Sequence, residues 1–380
     1  MALMWRLFAI LLLVVNEAGA TCPVWPLVIA HRGASGDYPE HTAMAYWQAM
    51  LQGADFIEAD LVPTKDGVLI SRHENELSQS TNVATLSQFA NRRSRKIIDG
   101  VAVEGWFSED FTLAEIRTLR ARESKPELRP GSAAHNDRYP LVTLAELMQL
   151  VMRFELQNGR RVGLYLETKH PTYFRVEGRY QDGQQINQDT SVMLLQQLAQ
   201  WQRLADNPVY IQSFEISNLW WMRRQGLQQY QVRAALIQLL GDMSGKNLYP
   251  TSNFAEPWDL VGQTAAEARR INPVLQQPDF HYGKLSTVEG LQFLQSYADG
   301  IGPWKEQWFS QNQPHRQFFL RSDSPLKVHP YTFRAETTFL PSGVTDLSAE
   351  LQQVYQQGID GVFTDFTAIA VRSRAQACSK

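Results

Sequence analysis

The sequence of 380 residues contains only two cysteines, Cys22 and Cys378. Neither cysteine lies in a signature motif, which argues against thiol chemistry at a functional site. In an oxidising compartment the two thiols could form one bridge that ties the ends of the chain together, with two unrelated free thiols as the alternative. We favour the bridge.

The sequence also lacks a large excess of charge of either sign, because 36 basic and 39 acidic residues leave a formal net charge of −3. This balance gives no electrostatic reason to bind nucleic acid or an anionic membrane surface. We therefore expect no nucleic-acid partner.

Long apolar runs are absent beyond the first 20 residues. This leader has Arg6, an apolar core over 7–15 and the small residues 18–20, the pattern of a secretory signal peptide. Its core is too short to span a bilayer, and no later segment is apolar enough. We expect a mature chain of residues 21–380 that is periplasmic or secreted, with no stable membrane insertion. A lipoprotein with Cys22 at its start is the alternative.

The most informative stretch is Val28 to Glu74. It opens with a β-branched run that stops at His31-Arg32-Gly33 and continues with a segment of helical period. The apolar positions of that segment are Ala43, Met44, Trp47, Met50 and Leu51. Two apolar runs follow, 56–62 and 68–71, and the connection between them is too short for a helical crossover. We predict that they pair as an antiparallel hairpin.

Glu58 and Asp60 share one face of the first run, since side chains alternate along a strand. Two neighbouring carboxylates repel each other unless a cation lies between them, and an exposed strand face with two solvated acids is the alternative.

The turn of the hairpin sharpens this interpretation. Folding the chain about Lys65-Asp66 places Glu58 roughly opposite His73. His31 and Arg32, at the end of the preceding strand, could reach the same place. A metal, an anion clamp and two proton carriers would equip a phosphodiesterase.

This stretch resembles the signature region of the glycerophosphodiester phosphodiesterases. That family opens with His-Arg-Gly and continues with Pro-Glu-Asn-Thr, a Glu-x-Asp strand, a Lys-Asp-Gly turn and a His-Asp pair. The corresponding segments here are His31-Arg32-Gly33, Pro39-Glu40-His41-Thr42, Glu58-Ala59-Asp60, Lys65-Asp66-Gly67 and His73-Glu74. His41 replaces the usual Asn and Glu74 the usual Asp. Neither position is one that we assign as a metal ligand or a proton carrier, so the replacements bear on the local geometry and not on the identity of those residues.

Later segments carry the same resemblance. They are Glu167-Thr168-Lys169, Gln212-Ser213-Phe214 and the runs 328–333 and 360–365. Residues 104–116 are similar to an insertion of the longer, exported members of the family.

Alternating strands and helices predict a (β/α)8 TIM-type barrel with its chemistry at the carboxyl ends of the strands. The resemblance implies the same barrel, of the phospholipase C-like phosphodiesterase kind. The sequence has nine apolar runs, one more than the eight strands of such a barrel. The hairpin explains the excess if one of its arms is an appendage or an antiparallel member of the sheet. The later predicted strands are 162–169, 209–214, 234–240, 299–303, 327–333 and 361–365, and the main helices are 112–119, 143–154 and 191–204. Without internal repeats or a linker, no separate second domain is expected.

Residues 75–141 are polar and are predicted to be an insertion. Because they leave the barrel just after His73, we expect them to lie over the active site and to shape substrate entry. Within them, the basic run 92–96 is predicted to be solvated surface and 124–137 a mobile loop.

By resemblance, Glu58, Asp60 and Glu167 hold one divalent cation. Three carboxylates suit a hard cation; Ca²⁺ is the expected ion and Mg²⁺ the alternative. Arg32 and Lys169 would offset the charge of a phosphate.

Five further residues receive roles from the family pattern or from their neighbours. Gln212 could hydrogen-bond the ligand shell, and Phe214 could form a wall for glycerol, with an ordinary core aromatic as its alternative. Tyr331 is expected to face the cleft and His329 to be structural. Asp365 is expected to orient a neighbour or cap a helix.

The resemblance implies metal-dependent hydrolysis of a small glycerophosphodiester to sn-glycerol 3-phosphate and an alcohol. His31 and His73 would be the acid and the base, in an order that the sequence leaves open. One alternative is a related phospholipase D-like or lysophospholipase enzyme that acts on acylated substrates. The other is a non-catalytic exported binding protein for glycerophosphodiesters.

Overall fold

A computed structural model of the chain describes residues 22–246, 254–309 and 324–378, together with Arg316, Phe318 and Phe319. The predicted signal peptide, residues 1–20, lies outside the described residues.

Eight parallel strands form a barrel, with a ninth strand beside them. Within the described residues the strands are β1 (Leu27–Ala30), β2 (Phe56–Pro63), β3 (Leu69–Ser71), β4 (Ser94–Ile98), β5 (Val101–Gly105), β6 (Gly163–Thr168), β7 (Val209–Ser213), β8 (Ala235–Leu240), β9 (Gly300–Pro303), β10 (Lys327–Val328) and β11 (Gly361–Thr364). The barrel strands follow the order β10-β9-β8-β7-β6-β2-β1-β11, and each neighbouring pair is parallel. The (β/α)8 prediction is confirmed.

The barrel closes where the chain after β10 meets β11. The Phe363 amide donates to the Pro330 carbonyl at 3.1 Å, and the Phe333 amide donates to the Phe363 carbonyl at 2.8 Å. Strand β10 itself is only two residues long, shorter than the predicted 327–333, because Pro330 has no amide hydrogen to continue a ladder.

The predicted hairpin is confirmed, since β3 pairs antiparallel with β2 and lies off the barrel path. Its predicted register is wrong by one residue. Leu61 pairs with Ser71, and extending this register puts position 73 across from Ala59 rather than Glu58. The shift arises because the turn closes with a hydrogen bond from the Thr64 amide to the Val68 carbonyl, which centres it on residue 66.

Helices surround the barrel. Within the described residues they are α1 (Ala43–Leu51), α2 (Leu113–Ile116), α3 (Pro130–Ala133), α4 (Leu144–Asn158), α5 (Thr190–Trp201), α6 (Ser217–Trp221), α7 (Leu227–Tyr230), α8 (Ala265–Ala268), α9 (Val288–Gln295), α10 (Lys305–Phe309), α11 (Leu347–Tyr355) and α12 (Thr367–Ala377). Helix α4 begins at a capping box in which Thr143 and Glu146 satisfy each other's backbone amides.

The predicted apolar face of α1 is partly wrong. The helix buries Ala45, Tyr46, Ala49 and Met50, whereas Leu51 at its end is 52% exposed. Tyr46 is not among the predicted apolar positions, yet its ring is buried because its hydroxyl has a buried partner, His41 Nδ1.

The barrel interior is filled by large side chains. Ile29, Phe56, Tyr165, Ile237 and Phe363 form this inner cluster. His329 is fully buried beside them, and its Nδ1 lies 3.0 Å from the Tyr165 hydroxyl. This position agrees with the structural role expected for His329.

Strands β4 and β5 form a separate antiparallel hairpin within residues 75–141. The segment packs through its own apolar cluster, which includes Phe107 and Phe111. The prediction of solvated surface for 92–96 is wrong for Lys96. Its side chain is 7% exposed, and its ammonium pairs with Glu109 at 2.9 Å and with Asp110 at 2.8 Å.

The prediction of a mobile loop over 124–137 is also wrong. Part of this segment is helix α3, and Arg129 just before it is buried. The guanidinium lies 2.5 Å from Glu336 and 2.5 Å from Asp365, so the segment is fixed to the carboxyl end of β11.

The two ends of the described chain meet. Cys22 and Cys378 form a disulfide, with their Cα atoms 4.8 Å apart, which confirms the predicted bridge. Among the helices that the structure describes, none combines the length and the apolar character needed to cross a membrane.

Candidate active site

The candidate site lies at the carboxyl ends of the barrel strands, as in other barrels of this type. It lines a cavity of about 660 Å³. The cavity wall contains all the residues to which the sequence assigned a catalytic, substrate-binding or metal-binding role: His31, Arg32, Glu58, Asp60, His73, Glu167, Lys169, Gln212, Phe214 and Tyr331.

Three buried carboxylates form its centre. Glu58 and Asp60 come from β2, and Asp60 is the parallel neighbour of Glu167 on β6. One oxygen of each carboxylate lies within 4.8 Å of those of the other two, and no side chain of the three is more than 8% exposed. Such a set of hard oxygen donors is what Ca²⁺ and Mg²⁺ prefer.

Burial and mutual repulsion alter the protonation of this cluster. Burial and the charge of Asp60 raise the pKa of Glu58 well above its ordinary value. Burial also raises the pKa of Glu167 to about 8, against the attraction of Lys169. Burial would raise the pKa of Asp60 too, but Lys169 and a hydrogen bond from His41 hold it well below its usual range. The cluster therefore concentrates more negative charge than it can hold fully ionised without a cation.

Gln212 adds a neutral group to the cluster. Its amide nitrogen lies 3.2 Å from Glu58 Oε1 and 3.5 Å from Glu167 Oε2. Its side-chain oxygen is buried and has no hydrogen-bond partner among the described residues. An unpartnered buried oxygen beside three carboxylates needs a ligand to satisfy it, so the donor set fits a divalent cation.

Two cationic side chains flank the carboxylates. The Arg32 amide donates to Glu58 Oε2 at 2.8 Å, and the Arg32 guanidinium lies 3.4 Å from Asp60. Lys169 Nζ lies 2.9 Å from Glu167 Oε1. Burial would lower the pKa of Lys169, but the charges of Glu167 and Asp60 raise it, so the ammonium stays charged. Both groups can stabilise a phosphate beside the cluster.

His31 is held by an ion-pair network at the end of β11. Its Nδ1 lies 2.6 Å from Asp365 Oδ1, and Asp365 Oδ2 contacts Arg129 at 2.5 Å and Arg334 at 2.9 Å. Burial would raise the pKa of Asp365, but Arg334, His31 and Arg129 keep it well below its usual range. An ionised carboxylate accepts a hydrogen bond from Nδ1–H, which leaves Nε2 as the basic nitrogen of His31. Burial and Arg32 lower the pKa of His31 to about 3.

Neither arginine of this network belongs to a motif that the sequence reveals. Arg129 lies in the segment predicted to be a loop, and Arg334 directly follows the matched run 328–333. Asp365 contacts His31, as the first of its two expected roles requires. Asp365 does not cap α12. The N-cap residue of this helix is Phe366, and no side-chain hydrogen bond caps the helix.

His73 lies just after β3, and its ring is 36% exposed. Its Nδ1 lies 2.9 Å from Glu74 Oε1. Burial, Arg32 and Lys169 lower the pKa of His73, while Glu74 opposes them.

The two residues that depart from the family pattern, His41 and Glu74, both contact candidate site residues. His41 is fully buried, with Nε2 3.0 Å from Asp60 Oδ2 and Nδ1 2.7 Å from the Tyr46 hydroxyl. Glu74 likewise contacts His73, the candidate proton carrier next to it. The spacing along the chain gave no sign of these contacts, because they depend on how far a side chain reaches across the fold.

Aromatic rings form one wall of the cavity. Phe214 and Tyr331 meet edge to face with ring centroids 5.9 Å apart, and Lys169 Nζ lies 5.8 Å from the centre of the Phe214 ring. Phe214 is half-buried: it lines the cavity beside the cationic group and also packs against the main apolar core.

Residues of the 75–141 segment form another part of the cavity wall. They are Glu76, Gln79, Ser80, Asp99, Ser124 and Lys125. The segment thus lies over the candidate site.

Comparisons with known proteins identify the family of this chain. The model of the Glycerophosphoryl diester phosphodiesterase family matches residues 31–369. The chain is 29% identical over 354 residues to a glycerophosphodiester phosphodiesterase of Arabidopsis thaliana, covering 90% of this chain and 84% of the relative. It is 28% identical over 357 residues to a glycerophosphodiester phosphodiesterase of Haemophilus influenzae, covering 90% and 87%.

The fold has solved counterparts as well. A phosphodiesterase of Oleispira antarctica, solved with the product sn-glycerol-3-phosphate, superposes with a TM-score of 0.51 at 17% identity and covers 92% of this chain and 96% of its own. At that identity the likeness supports the barrel fold. Because the family match runs from the motif that contains His31 to the last helix, the chain belongs to the Glycerophosphoryl diester phosphodiesterase family.

Proposed function

We propose that this chain hydrolyses glycerophosphodiesters to sn-glycerol 3-phosphate and an alcohol, using one divalent cation. The observation that carries the proposal is the buried cluster of Glu58, Asp60 and Glu167 flanked by Arg32 and Lys169. A phosphodiester is an anion, and this arrangement offers it positive groups at the edge of a cation site.

The cation would be held by Glu58, Asp60 and Glu167, and Ca²⁺ is the ion we expect. When bound, it would act as a Lewis acid on a phosphoryl oxygen. Arg32 and Lys169 would stabilise the charge that develops on the phosphoryl group.

His31 and His73 would carry the protons. One accepts the proton of the attacking hydroxyl, and the other protonates the oxygen of the departing alcohol. In each histidine a carboxylate contacts Nδ1, namely Asp365 or Glu74, so Nε2 is the nitrogen that remains for the substrate.

By resemblance to the family, the attacking group is the neighbouring hydroxyl of the glycerol. Its attack forms a new phosphorus–oxygen bond and breaks the one to the alcohol, which leaves a cyclic phosphate. Water then opens that ring to give sn-glycerol 3-phosphate. Phe214 and Tyr331 would form the wall against the glycerol carbons, while Gln212 would hold the carboxylates.

The names of the two sequence relatives favour this function over a lysophospholipase and over a non-catalytic binding protein. The test is hydrolysis of glycerophosphocholine by the purified chain, followed as release of glycerol 3-phosphate with Ca²⁺, with Mg²⁺ and with a chelator. Release that requires a metal supports the proposal, and the rates with the two ions identify the better one.

A folded chain that releases nothing with either ion would overturn the proposal. Cleavage of lysophosphatidylcholine by the same preparation would then favour the acylated-substrate alternative.

We also propose that residues 1–20 are a signal peptide and that the mature chain acts in the periplasm or outside the cell. The Cys22–Cys378 disulfide supports an oxidising compartment. Expression in a bacterial host followed by sequencing of the exported amino terminus tests this, and an uncleaved chain that stays in the cytoplasm would contradict it.

A further inference from the structure

Four titratable side chains form a continuous chain of contacts that ends on His73. His73 Nδ1 lies 2.9 Å from Glu74 Oε1, and Glu74 Oε2 lies 3.1 Å from His170 Nε2. His170 Nδ1 lies in turn 2.7 Å from Asp99 Oδ2. The contacts therefore run from the β4–β5 turn to a candidate catalytic histidine.

The charges along this chain determine which atoms carry protons. Burial would lower the pKa of His170, but the carboxylates of Asp99 and Glu74 raise it to about 10. Burial would raise the pKa of Glu74, but His73 and His170 hold it well below its usual range. Glu74 is therefore a carboxylate that only accepts hydrogen bonds, which puts the proton of neutral His73 on Nδ1.

The backbone keeps two of these residues in an unfavourable conformation. Asp99 has φ +46° and His170 has φ +47°, both in the left-handed region. For a residue other than glycine this region is sterically unfavourable. Surrounding structure must maintain such strain, and it is concentrated at functional sites.

We propose that His170 and Asp99 are positioning residues that act through Glu74 to fix the tautomer and orientation of His73. The proposal rests on the hydrolytic function given above. It assigns a role to the hairpin of β4 and β5, which supplies Asp99. The replacement of the family's usual Asp by Glu74 places the carboxylate one methylene further out, where it contacts two histidines.

Two amide variants of His170 separate the two contacts. In His170→Asn the amide nitrogen can take the place of Nδ1 and keep Asp99, but it loses Glu74. In His170→Gln the amide nitrogen can take the place of Nε2 and keep Glu74. We expect His170→Asn to lower kcat about 10- to 100-fold, as is typical when the partner of a functional histidine is lost. KM should change by less than about threefold, and His170→Gln should retain more turnover.

A double-mutant cycle distinguishes positioning from a general structural effect. Glu74→Gln should also lower kcat. If His170 acts only through Glu74, His170→Asn should cause little further loss in the Glu74→Gln background. His135→Asn is the matched control, because His135 lies outside the cavity wall and contacts Tyr139. It should turn over glycerophosphocholine at the wild-type rate.

Additive losses in the cycle, or a wild-type kcat for His170→Asn, would overturn the proposal. Circular dichroism and thermal melting establish that each variant is folded. If His170→Asn fails to fold, Asp99→Asn takes its place in the cycle with the same expectation. A wild-type chain that releases no glycerol 3-phosphate would overturn the function and this proposal together. An active wild type with an unaffected His170→Asn variant would overturn this proposal alone.

Discussion

The two candidate catalytic histidines are held in different ways. His31 is buried against Asp365, whose charge is balanced by Arg129 and Arg334. The side chain of His73 is 36% exposed, and its Nδ1 is contacted by Glu74. The environment lowers both pKa values, so the ring that serves as the base is neutral, and the ring that serves as the acid gives up its proton readily once it is protonated.

Removing either ring should abolish most turnover while the fold is kept. We expect His31→Ala and His73→Ala each to lower kcat for glycerophosphocholine by about 10²- to 10⁴-fold, the usual contribution of an acid or base. Release of glycerol 3-phosphate measures the rate, and thermal melting verifies the fold. His135→Ala serves as the control, with unchanged activity. A rate near that of the wild type from either variant would remove that histidine from the mechanism.

His170 should leave a signature in the pH dependence of stability. Burial opposes its charge, yet Asp99 and Glu74 raise its pKa to about 10, above the unfolded value near 6.5. A raised pKa means that the folded state binds the proton more tightly, so this contribution is complete below pH 6.5 and disappears as the pH rises through 10.

The measurement is the free energy of unfolding in urea, between pH 6 and pH 10.5, for the wild type and for His170→Asn. The wild type should lose its advantage over the variant as the pH rises. Parallel curves across this window would show that His170 is not charged in the folded protein.

At the level of elements, the β4–β5 hairpin connects the 75–141 segment to the site. Its turn contains Asp99 and Gly100, both with positive φ. A Cβ on Gly100 would lie 2.8 Å from the ring of Trp258, which lines the same cavity. The turn is therefore fitted closely against the cavity wall.

Gly100→Ala should both strain the turn and displace Trp258. The positive φ alone costs about 1–2 kcal/mol for a residue with a Cβ, and the contact with the ring adds to this. Gly183→Ala is the matched control, because Gly183 has φ +86° with nothing within 4 Å of the added Cβ. Urea unfolding should show a larger loss for Gly100→Ala. Equal losses for the two variants would mean that Trp258 moves aside freely.

Much of the barrel could be predicted from apolar runs, since buried parallel strands are continuous in hydrophobicity. The strands predicted over 162–169 and 209–214 are observed as Gly163–Thr168 and Val209–Ser213. The hairpin register could not be predicted, because it depends on where the turn closes. The burial of Arg129 could not be predicted either, because its two carboxylate partners, Glu336 and Asp365, lie more than 200 positions away in the sequence.

At the scale of the whole molecule, the parallel barrel explains why so much of the site was predictable. Motifs far apart in sequence lie together because every barrel strand ends at the same face. Glu58 and Glu167 therefore meet although more than a hundred residues separate them. The contacts of His41 and His170 correspond to no motif in the sequence. They depend on how neighbouring elements pack and not on where the strands end.

The same closure brings the ends of the chain together, because β1 pairs directly with β11. The Cys22–Cys378 disulfide then closes a loop with a sequence separation of 356 residues. A bridge across so long a loop mainly restricts the unfolded chain and contributes about 2–4 kcal/mol in typical cases. We expect reductant to lower the free energy of unfolding by about that amount, while kcat stays unchanged because the bridge lies outside the cavity wall. The variant with both Cys22→Ser and Cys378→Ser should match the reduced protein and be insensitive to reductant. If reduction left the stability unchanged, the bridge would not restrict the unfolded chain appreciably, and this entropic account would be wrong.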